Sequence, residues 1–183
     1  MKLAHRLAVA RLGAYLIDYL VLALYIAALT TLSLLLTGNN LEPVSTIEEK
    51  FRGHAIAFVT LTLPVWFYFT LQESGPKSAT IGKRLVKLEV QSVENKKPSL
   101  SSIALRNGLR FLPWELSHIA IWYVPGRPFV DAMPVLNLAI CLAAILVSVS
   151  YILMLFLGAG RTPYDRLSRT CVTHAQKQIG RDN

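Results

Sequence analysis

Asp18 is the only charge in residues 12–36, an apolar stretch long enough to cross a bilayer. A helix rises about 1.5 Å per residue and a hydrocarbon core is about 30 Å thick. The carboxylate would stand roughly 9 Å inside the stretch, and an ionised group near mid-membrane costs about 2.5–3.5 kcal/mol to insert. A residue that costly needs donors, a countercharge or a proton. Desolvation favours its protonated form, in which it could bind and release protons as transporter carboxylates do. An arginine partner favours its ionised form, which would serve as a structural anchor. The sequence leaves both readings open.

Arg11 precedes Asp18 by seven residues. On a helix that is about 20° short of two turns, so the two share a face, roughly 10.5 Å apart along the axis. Side chains lean toward the helix N-terminus. Asp18 therefore leans toward Arg11, while Arg11 leans away toward the headgroups. A direct pair within the helix is not expected, and Asp18 should meet a base from another element, with Arg84, Arg110 and Arg166 as candidates. A second polar pair is Glu115 and His118, which share a helical face at i and i+3. That is the spacing of half a helical-bundle metal site, but such sites need two such motifs and further glutamates. The expectation is a hydrogen-bonded polar pair lining a cavity or facing the interface, without metal.

No nucleophile elbow, phosphate-binding glycine loop, zinc signature or dinucleotide fingerprint occurs, so neither enzymatic activity nor a cofactor is expected. Cys141 and Cys171 form no metal-ligand spacing and should be free thiols. Ser148 and Ser150 should bond carbonyls of their own helix. Tyr15, Tyr19 and Tyr25 read as packing and interface residues.

The elements that would position these groups follow from composition. At 183 residues, 53% hydrophobic and 16% charged, with mean hydropathy +0.43, the chain reads as a multi-pass membrane protein. Residues 12–36, 55–71, 111–124 and 135–157 compete for the bilayer; 111–124 is short, contains Pro113, Glu115 and His118, and could cross or lie re-entrant. Sixteen of the 19 lysines and arginines fall before the first segment, in loop 72–110 or in tail 158–183. Short basic loops stay cytoplasmic. Four crossings put all three basic regions on one side, with both termini cytoplasmic, and account for the net charge of +8 without nucleic acid. Residues 83–93 alternate in part and precede a turn at Glu94-Asn95-Lys96-Lys97-Pro98, which suggests a small cytoplasmic β element. A helix should follow, with Ser101 or Ser102 as its cap.

Residues 80–90 and 162–172 resemble one another: Thr80, Arg84, Leu85 and Val90 recur as Thr162, Arg166, Leu167 and Val172. Chance or a parallel duplication would each explain this. Lys83 and Asp165 occupy equivalent places with opposite charge, so packing the stretches side by side would let each neutralise the other.

The same residues carry a family resemblance. Arg11-Leu12-Gly13-Ala14-Tyr15-Leu16-Ile17-Asp18 resembles the opening of the RDD family of prokaryotic membrane proteins, named for one arginine and two aspartates. Thr80-Ile81-Gly82-Lys83-Arg84-Leu85 resembles its central signature, and Asp165-Arg166-Leu167 with Val172 its closing motif. The resemblance implies Arg11, Asp18 and Asp165 as the eponymous residues, an inner cell membrane location, and transport of an undefined ligand, with cation/proton exchange suggested for some members. Pro113-Trp114-Glu115-Leu116-Ser117-His118 is not a general feature of that family.

Together these readings predict an all-α membrane protein: a four-transmembrane-helix bundle with a small cytoplasmic β element. Arg11, Asp18 and Asp165, with Lys83 and one or two of Arg84, Arg110 and Arg166, would form a charge network at the inner boundary. The function expected is a small transporter or transporter subunit for an ion or small solute. The alternative is an accessory protein that binds a partner helix or anionic lipid. Four helices enclose little space, so a homo-oligomer or a partner membrane protein is expected beside the lipid bilayer.

Overall fold

Four helical rods carry the apolar stretches in the computed structural model, which describes residues 2–37, 46–126, 131–157 and 160–175. Arg127, Lys177 and Arg181 of the charge pattern lie outside the described residues. The first rod is α1 (Lys2–Thr37). The second joins α2 (Ile47–Ala57), a π-helical turn (Phe58–Thr62) and α3 (Leu63–Ser74) end to end. A short helix α4 (Ile81–Leu85) and strand β1 (Leu88–Ser92) lead to the third rod, α5 (Leu100–Trp122). The fourth rod, α6 (Val135–Leu157), is followed by α7 (Pro163–Leu167) and strand β2 (Thr170–His174).

Among the described residues, three stretches are long and apolar enough to cross a membrane: His5–Leu36, Ile47–Ser74 and Val135–Leu157. The second is longer than the expected 55–71, because a capping box between Thr46 and Glu49 starts its helix earlier. The expected segment 111–124 is not a separate short span. It is the far part of α5, a helix of 23 residues that also carries Arg106 and Arg110. Those cations interrupt the hydropathy of the sequence, yet the fold buries them against acids, so the helix runs through them. Its cap is Ser99, not Ser101 or Ser102, with Ser99 Oγ accepting from the Ser102 N–H at 3.1 Å.

The rods alternate in direction. The first half of α1, the end of α3, the start of α5 and the end of α6 all meet α4, α7 and the strands. At the other end, the buried Lys50 ammonium on α2 donates to the carbonyls of Val124 and Gly126 beyond α5. Cations suit the exposed carbonyls of a helix C-terminus. The outward faces are apolar and bare: Leu24 on α1 is 73% exposed and Leu146 on α6 is 69% exposed. Meanwhile Arg11, Asp18, Glu73, Lys83, Arg106 and Asp165 are fully buried. This is the inside-out distribution of a chain whose surroundings are lipid.

Two prolines sit inside rods and each frees a carbonyl four residues earlier. Pro64 frees that of Thr60, which accepts from the Tyr25 hydroxyl. Pro113 frees that of Leu109, which accepts from the Tyr151 hydroxyl at 3.0 Å. Tyr25 is therefore more than a packing residue. Ser148 and Ser150 donate to Ala144 and Val147 in their own helix, as expected, and both cysteines are free.

The β element is a two-stranded antiparallel sheet, but its strands lie far apart in the chain. Residues 83–85, expected within the alternating stretch, belong to α4 instead, because Thr80 caps a helical turn there. The turn at 94–97 is present, with Asn95 at φ 57°. The similarity between 80–90 and 162–172 is matched by structure: a threonine cap, a five-residue helix, a left-handed residue (Lys87 at φ 56°, Arg169 at φ 54°) and a strand. Val90 pairs with Val172, its own counterpart, and Leu88 with His174, so the ladder is symmetric about that pair. Leu88, Val90 and Val172 pack on Ile103 of α5, making a small apolar core beneath the charged site.

Candidate functional site

Asp18 is fully buried, and its partners are neutral. Oδ1 accepts from the Tyr68 hydroxyl at 3.0 Å and the Gly82 N–H at 2.8 Å, while Oδ2 accepts from the Thr80 hydroxyl at 2.7 Å. It thus sits on the N-terminus of α4, where unpaired N–H groups and the helix dipole favour an anion. The expected arginine partner is not found: no ion pair to Asp18 occurs among the described residues. The physical reason is closeness. A Cβ on Gly82 would stand 2.1 Å from the Ala14 carbonyl oxygen, so α4 lies backbone to backbone on α1, with room for an N–H and a hydroxyl but not a guanidinium.

The ionic contacts involve other acids, Glu73 and Asp165. Arg11 Nη2 donates to Asp165 Oδ2 at 2.9 Å, and its Nη1 to the Gly160 carbonyl. Asp165 Oδ2 also accepts the Thr162 N–H at 2.9 Å, closing a capping box on α7. Arg106 bridges two acids, donating through Nη1 to Asp165 Oδ1 and through Nε to Glu73 Oε2 at 3.0 Å. Lys83 Nζ donates to Glu73 Oε1 at 2.5 Å. Lys83 and Asp165 therefore do not neutralise each other directly; the chain runs Lys83, Glu73, Arg106, Asp165, Arg11. Asn107 adds a weak contact to Glu73 at 3.4 Å. A buried pair needs such extra bonds to offset desolvation.

Arg110 stands at the edge of this chain. Its Nη1 is 4.0 Å from Glu73 Oε1, and its guanidinium stacks 4.1 Å from the Phe69 ring centroid and 4.6 Å from that of Tyr15. Arg84 and Arg166 are exposed and lie outside the network. Arg84 donates to the Ala79 carbonyl and to Gln72 instead. Both sit on the outer face of their short helices, one position beyond the inward N3 residue.

Four cations, Arg11, Lys83, Arg106 and Arg110, meet two carboxylates, Glu73 and Asp165, in this described cluster. Protons respond to that excess. Burial pushes the Lys83 ammonium down to about 8, with Arg110 and Arg106 adding to the fall that Glu73 opposes. Burial would raise the Tyr164 phenol, but Arg11, Arg110 and Arg106 outweigh it and bring it down to about 8. Tyr164 shares a hydrogen bond of 2.7 Å with Tyr15. Glu73, Arg106 and Asn107 were missed in the sequence as members of the site. The i, i+4 spacing of Arg106 and Arg110 put both on one face, but Glu73 reads there as a loop acid just past an apolar stretch.

Glu115 and His118 belong to a separate polar cluster farther along α5. Glu115 accepts from the Thr62 hydroxyl and lies 3.7 Å from His118 Nδ1 and 3.5 Å from His54 Nε2. Trp114 donates to Thr62 at 3.3 Å. The cavity beside Glu115, about 290 Å³, is walled largely by apolar groups such as Phe58, Trp66 and Phe111. His118 does not line it, so Glu115 alone of the pair borders this cavity, whose walls are apolar. Thr62 ends the π-helical turn, a feature common at functional sites.

No curated protein matches the chain, and no solved structure does. The model of the RDD family matches residues 6–169, which include most of α1, all of the network and strand β1. With Arg11, Asp18 and Asp165 standing in that span, the chain belongs to the RDD family.

Proposed function

We propose that this chain is a small multi-pass transporter, or the membrane subunit of one, whose ligand is a small solute held inside the bundle. In this reading all four rods cross the inner cell membrane of a prokaryote, with both termini, the short helices and the strands on the cytoplasmic side. The basic loop and tail support that orientation. The observation that carries the reading is a cavity of about 330 Å³ between α1, α3, α5 and α6, with Arg110 at its charged end and Trp114 and Ser117 farther along. Cavities from roughly 300 Å³ upward are the size at which proteins hold small ligands.

A solute is better supported than proton or cation exchange through Asp18. That carboxylate already accepts from three donors and sits under a tight helix contact. One feature favours a second reading, an accessory protein: the bare outer faces of α1 and α6 could seat a partner's helix or a second copy of this chain.

Reconstitution of the purified chain alone into liposomes separates the two. Under the transport reading, a solute gradient collapses faster with protein than without, and Arg110→Gln slows it. Proton or sodium flux that disappears in a folded Asp18→Asn variant would move the ligand to ions. No flux of any kind, with a stoichiometric membrane partner in the native membrane, would establish the accessory reading.

A further inference from the structure

Two cavities share a border. The central one of about 330 Å³ and a groove of about 630 Å³ between α1 and α6 are both lined by Tyr19, Arg110 and Ser148. The groove is edged by Leu16 and Ile152, which are exposed on the outward faces of α1 and α6, with the buried Leu155 at its floor. Arg110 is therefore reachable from the membrane plane.

Its chemistry there is incomplete. The Arg110 side chain is 7% exposed, its nearest carboxylate oxygen is 4.0 Å away, and Nη1 has no hydrogen-bond partner. Stacking on Phe69 and Tyr15 occupies the faces of the guanidinium, whereas its donors project from the edge in the plane. The edge is free. Around it the cluster carries more cations than anions, so a cation would be repelled and an anion drawn in. The remaining walls are mostly apolar, and a fully hydrated small anion would leave them uncovered while losing its water.

We propose that the junction of the two cavities binds an amphipathic anion, its carboxylate or phosphate head on the Arg110 edge and its apolar chain along the groove between α1 and α6. This deepens the transporter reading and rests on its placing a ligand inside the bundle. Tyr15 and Tyr164 line the same groove and share one hydrogen bond, which leaves one hydroxyl proton of the pair to donate beside the head. The shared chemistry is an anionic head on an acyl chain, which a free fatty acid or an anionic phospholipid would both present.

The test uses the full chain, stripped of lipid in detergent and titrated with oleate, phosphatidylglycerol, phosphatidylcholine or inorganic phosphate. Binding is read by native mass spectrometry. Saturable binding of oleate alone identifies a free acid, and of phosphatidylglycerol alone a lipid. Arg110→Gln should weaken either by about tenfold to a hundredfold, as loss of a charged hydrogen bond does, with Arg110→Lys between. Lys96→Gln, on the exposed turn, should bind as the parent does. Should Arg110→Gln not fold, Ile152→Trp tests the same site by filling the groove, and binding must fall. Equal binding of phosphatidylcholine, binding of inorganic phosphate as tight as that of the amphiphiles, or indifference to both Arg110→Gln and Ile152→Trp would overturn the proposal. Binding without flux in liposomes removes transport and leaves this site. Solute flux unaffected by Arg110→Gln, with no amphiphile bound, removes the site and leaves transport.

Discussion

Gly82 is the tightest point between α1 and α4. A methyl group there would lie 2.1 Å from the Ala14 carbonyl oxygen and 2.9 Å from the Asp18 carboxyl carbon. Neither neighbour can yield, since one is helix backbone and the other is held by three bonds. Gly82→Ala should therefore destabilise the fold by roughly 3 kcal/mol, measured as a lower melting temperature in detergent; an unchanged melting temperature would contradict the contact. Tyr164 gives a second test at this scale. Its phenol titrates near 8 in the folded chain against the usual 10. Between those values the unfolded chain keeps a proton that the folded chain has lost, so stability gained from this group rises with pH. Lys83 acts in the same sense: its buried ammonium opposes folding below about 8, and the penalty fades as pH climbs toward the ordinary lysine value. Tyrosinate absorbance should show one phenol ionising near pH 8, missing in Tyr164→Phe, and the stability gap between parent and variant should widen in the parent's favour from pH 8 to 10.

At the scale of elements, α5 and the second rod obey one rule. Each contains a proline, and each has a tyrosine from a neighbouring rod satisfying the carbonyl that the proline releases. In an apolar surrounding no water can replace that hydroxyl. Tyr151→Phe should cost about 1–3 kcal/mol and let α5 bend at Pro113; a melting curve equal to that of the parent would refute this. The same helix shows where a sequence reading loses its grip. Residues 111–124 look short because Arg106 and Arg110 read as the end of an apolar run, whereas the fold sets both against the buried acids Glu73 and Asp165. Hydropathy counts a charge without its partner. The first and last rods, free of such pairs along most of their length, were legible. So were the turn at 94–97 and the membership of Arg11, Lys83, Arg110 and Asp165 in one cluster. The partner of Asp18 was not, because a sequence displays the carboxylate and the guanidinium groups that could attract it but not the backbone N–H at the start of a five-residue helix.

The whole molecule is held together by a correspondence between its halves. Residues 80–90 and 162–172 adopt the same cap, helix, left-handed residue and strand, and the strands pair so that Val90 faces Val172. The Val93 N–H donates to the Arg169 carbonyl and the Ala175 N–H to the Lys87 carbonyl, which makes Val90 and Val172 a non-hydrogen-bonded pair. Such pairs bring Cα atoms to about 4.5 Å, within the span of a disulfide. In a background with Cys141 and Cys171 replaced, Val90→Cys with Val172→Cys should form an intrachain bond on mild oxidation. Val90→Cys with Thr173→Cys should not, and the reverse outcome would place the register elsewhere. Both helix N-termini also carry an acid, Asp165 from within α7 and Asp18 from across α1, so the second half supplies locally what the first half borrows.

A ladder symmetric about its middle residue cannot tell its proper strand from a duplicate of itself by main chain alone. Two copies of β1, from neighbouring molecules, could align just as well. What sorts them is the sign written at the third helical position: such an exchange would set a lysine, in place of Asp165, before the guanidinium groups of Arg11 and Arg106. Electrostatic mismatch there acts as an address, directing each first half to a second half and discouraging strand exchange between molecules crowded in the same leaflet.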